Sequence, residues 1–336
     1  MKLSVEQIKS IITGVANFKE ENGRITLLRF TEEQQELYKN GITKAFYTRT
    51  FASAGVKAEF ITNSKNIAFE TEHNSGSSRS WFSIDIRVNG DLLHTVHGDL
   101  KDDEENVSPK TVKECISLGE GEKKVTVYFP WSVSTTVISI ELDDGATLIP
   151  VTRKLKMLTF GDSITHGYDA KNPSLSYASI VADALDADAC NKAIGGEIFR
   201  PDLAALPENF TPDVITVAYG TNDFSKCSKD EFDHNSTEFY NTIARLYPTA
   251  KIIALAPIYR TDFAKVPEKF NRTFDYVLYR LCEIAKDIPQ MTVIDCFEFL
   301  PKTQDVFHDL RIHPNNEGFD YYAKGVLAAI KEKNII

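Results

Sequence analysis

Four short clusters in the second half of this 336-residue chain carry residue types suited to acyl chemistry. The first is Gly161-Asp162-Ser163-Ile164-Thr165, which directly follows an apolar run over 156–160. A serine on a strand-to-helix turn presents its hydroxyl at the rim of a sheet, and its own N–H faces the same space. The glycine permits a tight approach, although Gly, Asp and Ser also make ordinary turns. The second is Tyr219-Gly220-Thr221-Asn222-Asp223, again just beyond an apolar run. An Asn amide placed there can donate to an oxyanion, and it can equally close an Asx turn. The third is His308-Asp309-Leu310-Arg311-Ile312-His313-Pro314-Asn315. A histidine at a loop end can act as general base for a serine, and a nearby carboxylate would fix its tautomer. A His and an Asp at a helix entrance are the plain alternative. The fourth, Ile194-Gly195-Gly196-Glu197, is by itself a glycine-rich turn able to offer a backbone N–H.

These clusters need a scaffold, and the texture of the chain after Pro150 supplies one. Apolar, β-branched runs over 156–160, 189–193, 213–219, 251–256 and 292–296 read as strands. Between and after them, 174–185, 229–246, 270–285 and 317–331 read as helices, with Asn315 or Asn316 available to cap the last. Alternating strand and helix imply an α/β fold with a parallel sheet covered on both faces. In such sheets ligands bind beyond the carboxyl ends of the strands, where the clusters fall.

The first 150 residues read differently. Apolar residues at helical spacing over 3–18 predict a short amphipathic helix. About nine short strands then follow, over 24–30, 45–51, 56–62, 67–72, 81–88, 92–96, 112–118, 124–129 and 136–142, with almost no helix. Asn89-Gly90 is a hairpin signal. This pattern predicts an all-β sandwich of jelly-roll type. The acidic stretch over 99–105 lacks EF-hand spacing and reads as a solvated loop. The chain therefore divides into a helix plus β-sandwich over 1–150 and a catalytic α/β domain over 151–336.

Taken together and in their order along the chain, with the Gly195-Gly196 cluster second, the clusters resemble those of the SGNH, or GDSL-type, hydrolase superfamily. The resemblance spans about residues 154–336. It implies a flavodoxin-like α/β/α domain with Ser163 as nucleophile and His313 as base. It also implies an oxyanion hole made by the N–H groups of Ser163 and Gly196 and the side chain of Asn222. Gly196 is chosen over Gly195 because Ile194-Gly195-Gly196-Glu197 matches the family's I-x-G-[DE]. One departure stands out. The family places its Asp three residues before the His, whereas position 310 is Leu and Asp309 lies four before His313. Either an extra loop residue brings Asp309 to the imidazole, or a backbone carbonyl orients His313 in a Ser-His dyad.

A β-sandwich ahead of such a domain is similar to carbohydrate esterase family two. That likeness implies a serine esterase that removes acetyl groups from small plant oligosaccharides. The alternatives are a lipid-type or thioester acylhydrolase of the same superfamily and a non-catalytic glycan-binding protein. His166 and Tyr168, just after the serine turn, are candidates to line the site, as are Tyr259 and Arg260 after the 251–256 strand. Trp131, leaving a strand, is a candidate to stack on a sugar, with a core position as its competitor.

Composition removes other classes. The formal net charge is −10 and no run of five basic residues occurs, which argues against nucleic acid as a partner. No stretch approaches the ~18 apolar residues of a membrane span. Five scattered cysteines form no CxxC pair, so neither a disulfide framework nor a zinc site is predicted. The chemistry calls for no metal or cofactor. The start of the chain lacks a continuous apolar segment, which leads to the expectation of a cytoplasmic enzyme.

Overall fold

The computed structural model describes residues 1–103, 106–265 and 274–336. It divides into two compact units, Met1–Arg153 with Lys171–Ser174, and Lys154–Ala170 with Leu175–Ile336.

The first unit is built of antiparallel strands: β1 (Ile12–Thr13), β2 (Asn17–Glu21), β3 (Arg24–Leu28), β4 (Lys57–Thr62), β5 (Asn66–Ser75), β6 (Trp81–Val88), β7 (Asp91–Asp99), β8 (Lys110–Ser117), β9 (Lys123–Tyr128), β10 (Val133–Leu142) and β11 (Ile149–Pro150). One sheet runs β1-β4-β9-β6-β7 with β11 added beside β4, and the other runs β2-β3-β10-β5-β8. The eight strands from β3 to β10 are shared between the sheets, four in each, in the order of a jelly roll. Alternation along the strands turns one face of each sheet inward. Ile25, Leu27, Ile67 and Phe69 of one sheet join Phe60, Ile84, Ile86 and Val127 of the other in a single buried core. At the β6–β7 hairpin, Asn89 and Gly90 have φ of 52° and 96°, as a type I′ turn requires.

Two expectations for this region are corrected. The segment over 45–51 is a helix that ends in a turn at its last two residues, not a strand. Helix Lys44–Arg49 is started by Thr43, whose hydroxyl accepts the Phe46 N–H at 3.3 Å. Its aromatic residues mimic strand composition, but a local cap decides the conformation. The N-terminal helix is also shorter than 3–18. It covers Val5–Ile11, and Gly14 at φ 80° helps turn the chain toward β2. An unanticipated helix, Glu32–Gly41, begins at a capping box of Thr31 and Gln34, a signature present in the sequence.

The second unit holds β12 (Leu155–Gly161), β13 (Ala187–Asn191), β14 (Val214–Ala218), β15 (Lys251–Leu255) and β16 (Met291–Ile294). They form one sheet in the order β13-β12-β14-β15-β16 with every neighbouring pair parallel, which is flavodoxin-like. Helices Tyr177–Ala184 and Asn316–Glu332 pack together, while Lys229–Leu246 packs with Pro201–Ala204 and Tyr276–Ala285. Their starts follow the sequence: Ser176, Ser228 and Asn315 each accept a backbone N–H of the first turn. Of the helix expected over 270–285, residues 276–285 are helical, and 266–273 lie outside the described residues.

Strand order now does the positioning. β12 lies between β13 and β14, so the segments after these three strands emerge side by side at the carboxyl edge. Those segments carry Ser163, Gly196 and Asn222. At the end of β12 the chain passes so close to the next turn that a Cβ on Gly161 would sit 2.2 Å from Thr165 Oγ1. Gly161→Ala is therefore expected to cost about 1–3 kcal/mol through overpacking, measurable by denaturant unfolding. An unchanged midpoint would show that the turn can yield.

Candidate active site

Ser163 opens a four-residue helix, Ser163–His166, directly after β12. Asp162 caps it, accepting the Ile164 N–H at 3.0 Å, and Gly167 at φ 100° ends it. The serine is thereby fixed on a sharp turn at the sheet edge, as the sequence suggested.

His313 arrives from the loop before the last helix. A backbone bond from His308 N–H to the His313 carbonyl, 2.8 Å, closes that loop. Inside it, Asp309 Oδ1 accepts the N–H groups of Arg311, Ile312 and His313 at 2.9, 2.7 and 3.0 Å. Asp309 Oδ2 then lies 2.9 Å from His313 Nδ1, and His313 Nε2 lies 2.8 Å from Ser163 Oγ. Leu310, the residue that lengthens the family spacing, adopts φ 57° and is exposed. A left-handed turn at this one residue absorbs the insertion and returns the carboxylate to the ring.

Burial pushes the Asp309 carboxyl up, but the bonds from His313 and the backbone N–H groups outweigh it and hold it well below the usual range. An ionised carboxylate can only accept. The proton of a neutral imidazole is therefore held on Nδ1, leaving Nε2 to accept from the serine hydroxyl.

Asn222 lies in helix Thr221–Lys226, just after β14. Its Nδ2 donates to the Glu197 carbonyl at 3.1 Å and lies 3.4 Å from Asp162 Oδ2. The amide thus sits between the segment bearing Ser163 and the segment bearing Gly196. Gly196 has φ 87°, a conformation that favours glycine, and its carbonyl accepts from Lys226 Nζ at 2.5 Å.

Residues that sequence reasoning did not single out hold these parts together. The buried carboxylate of Asp223 accepts from Phe199 N at 2.8 Å and from Gly220 N at 3.0 Å, tying the Gly196 segment to the Asn222 turn. Its signal was its place in Gly220-Thr221-Asn222-Asp223, read for the Asn alone. Glu197 is buried and bonded through Oε1 to Arg200 at 3.2 Å. Asp169 is fully buried, with Oδ2 3.5 Å from His313 Nδ1. Nothing in its spacing marked it.

The remaining candidates divide. Tyr168 is buried with its ring 5.7 Å from that of His313, and His166 packs edge-on against Tyr168 at 5.2 Å. Arg260 is buried and grips Asp262 through two bonds of 2.5 and 2.9 Å. Tyr259 packs edge-on against Phe297 at 5.8 Å. Trp131, in the first unit, is only 2% exposed and stands edge-on to Trp81 at 5.3 Å. It occupies a core position and offers no exposed platform to a sugar. Among the described residues, no group of three or more His, Cys, Asp or Glu is placed to hold a metal. No described helix is long and apolar enough to cross a membrane.

Residues 159–321 match the GDSL-like Lipase/Acylhydrolase family. The second unit is thus a GDSL-type acylhydrolase domain, and the protein is an ester-hydrolysing enzyme. No curated protein matches the sequence. Among solved structures, the salicylyl-acyltransferase SsfX3 from a tetracycline biosynthetic pathway superposes with a TM-score of 0.81 at 20% identity, over 97% of this chain and 95% of that one. A family two carbohydrate esterase from Clostridium thermocellum, in complex with cellohexaose, gives 0.65 at 18% identity, over 84% and 93%. An acetyl xylan esterase from the rumen bacterium Butyrivibrio proteoclasticus gives 0.64 at 15% identity, over 99% and 98%. At these identities the likeness is one of fold.

Burial raises two carboxyls at the site's base, Asp162 to about 6 and Asp223 to about 7, against the backbone N–H groups that lower them. A carboxyl whose folded value lies above its unfolded value of about 4 favours the fold only while protonated, so its contribution is lost as pH rises through the folded value. Stability is expected to decline between about pH 4 and 7, and more shallowly in Asp223→Asn. Thermal melts of both proteins across that window check this; parallel pH dependences would contradict it.

Proposed function

We propose that this protein is a serine esterase that removes acetyl or other short acyl groups from carbohydrates, acetylated plant oligosaccharides in particular. The observation that carries the reading is the unbroken chain of short contacts Asp309–His313–Ser163. His313 Nε2 takes the Ser163 proton as Oγ attacks the ester carbonyl. Asp309 keeps the imidazole in the required tautomer and stabilises its protonated form. The oxyanion is held by the N–H groups of Ser163 and Gly196 and by the Asn222 amide. His313 then gives the proton to the departing sugar oxygen, which leaves as a hydroxyl. Water, activated by the same imidazole, releases the acid from the acyl-serine. Tyr168 and His166 form the wall beside the reacting atoms, and Arg260 supports the rim.

The carbohydrate reading draws support from the esterases of like fold, one of them holding cellohexaose and another acting on acetyl xylan. The likeness to a salicylyl-acyltransferase favours a second reading, in which the acyl-serine passes its acyl group to an acceptor other than water. A lipid-type or thioester acylhydrolase would share the same reacting residues and differ in acyl length.

Acetate release from acetylated xylo- and manno-oligosaccharides tests the proposal. Ser163→Ala is expected to lose about 10⁴-fold or more in kcat, and Asn222→Ala about 10²–10³-fold. Asp309→Asn is expected to lower kcat at least about tenfold, and an unchanged kcat would remove it from the mechanism. A p-nitrophenyl ester series from acetate to octanoate reads the acyl length; preference for octanoate would overturn the acetyl assignment.

A further inference from the structure

We propose that Asp169 is a second carboxylate partner of His313, a positioning residue that steadies the imidazole and stabilises it once it has taken the serine proton. The inference rests on the serine esterase reading and deepens it. Two carboxylates converge on one ring nitrogen: Asp309 Oδ2 at 2.9 Å and Asp169 Oδ2 at 3.5 Å from Nδ1. The first is a hydrogen bond. The second is at ion-pair distance and acts mainly through charge.

The two are differently housed. The Asp309 side chain is 26% exposed and sits in a surface loop, whereas Asp169 is 0% exposed. Solvent therefore screens Asp169 less, and its charge reaches the ring more fully. The chain also accepts an uncommon conformation to bring it there. Asp169 has φ 69°, two residues after the left-handed Gly167. This double reversal follows the nucleophile helix and delivers both the Tyr168 ring and the Asp169 carboxylate to His313. Non-glycine residues held this way gather where surroundings impose them, and Asp is among the few that tolerate it.

The other carboxyl acting on this imidazole is Asp162, at the cap of the serine turn. In the reaction the proton passes from Ser163 Oγ to Nε2, and none passes to Asp169. The imidazolium so formed faces both Asp309 and Asp169, with Asp162 behind the serine.

Asp169→Asn tests this, because Asn tolerates the same left-handed backbone and removes the charge while keeping the shape of the side chain. With p-nitrophenyl acetate, kcat is expected to fall about tenfold or more with KM changed less than about threefold. The acidic limb of the kcat/KM profile is expected to move to lower pH, because a less stabilised imidazolium gives up its proton sooner. A wild-type kcat and profile would overturn the proposal. Asp309→Asn provides a second reading should the first variant fold poorly. With Asp169 in place its loss is expected near 10²-fold, short of the about 10⁴ typical when a lone triad carboxylate is replaced, and a full 10⁴ would overturn it. If wild-type turnover proves independent of Ser163, the esterase reading fails, and nuclear magnetic resonance of His313 still decides the matter. Its titration midpoint is expected to drop by about one pH unit in Asp169→Asn, and an unmoved midpoint would overturn the pairing.

Discussion

One imidazole has to meet a serine 150 residues upstream, and the second unit is organised around that contact. Ser163 rides on the end of the sheet's β12, and His313 rides on a loop that precedes the last helix. A 2.8 Å contact between them demands that both supports be rigid. The parallel sheet supplies the first. Its strands are buried, and the turn at Gly161 leaves no room for a side chain. The last loop gains its rigidity from Asp309, whose carboxylate gathers three backbone N–H groups before it reaches the ring.

Around this contact the chain tolerates local costs that a plain scaffold would avoid. Carboxyls at 162, 169 and 223 are buried, and left-handed backbone occurs at Gly167, Asp169, Gly196, Gly220 and Leu310. Buried carboxyls need partners, and for Asp162 and Asp223 these include backbone N–H groups of the site's own segments. Asp162 caps the serine turn, and Asp223 joins the segments that carry Phe199 and Gly220. Strain and desolvation of this kind persist only where surrounding structure over-determines them. The neighbouring strands β13, β12 and β14 provide that constraint from below.

The sequence made the second unit's architecture legible because its signals were local and mutually consistent. Apolar runs ended in glycine, and serine or asparagine caps stood ahead of helical periodicity. Ser163, Gly196, Asn222 and His313 could be singled out as candidates for the same reason: each sits in a short motif at a predicted strand end or helix entrance. Asp309 was readable as a candidate, but its reach depended on the left-handed turn at Leu310, a residue type that gives little warning of such a conformation. Asp169 and the bracing role of Asp223 were hidden because each acts across the fold, on His313 and on Phe199. The segment over 45–51 misled because aromatic and β-branched composition looks like a strand until the Thr43 cap is weighed. Trp131 misled because it does lie in the connection between β9 and β10, but that connection is buried and Trp81 packs against it.

Everything in the proposed chemistry passes through a covalent acyl-serine, so the most direct measurement looks for that bond. Rapid acid quenching of the enzyme during turnover of p-nitrophenyl acetate, followed by peptide mass spectrometry, should find one acetyl group on the peptide that contains Ser163. The adduct should vanish in Ser163→Ala together with turnover. Sustained hydrolysis by Ser163→Ala, or an acetyl group carried on a different residue during turnover, would contradict a mechanism built on the contact between Ser163 and His313.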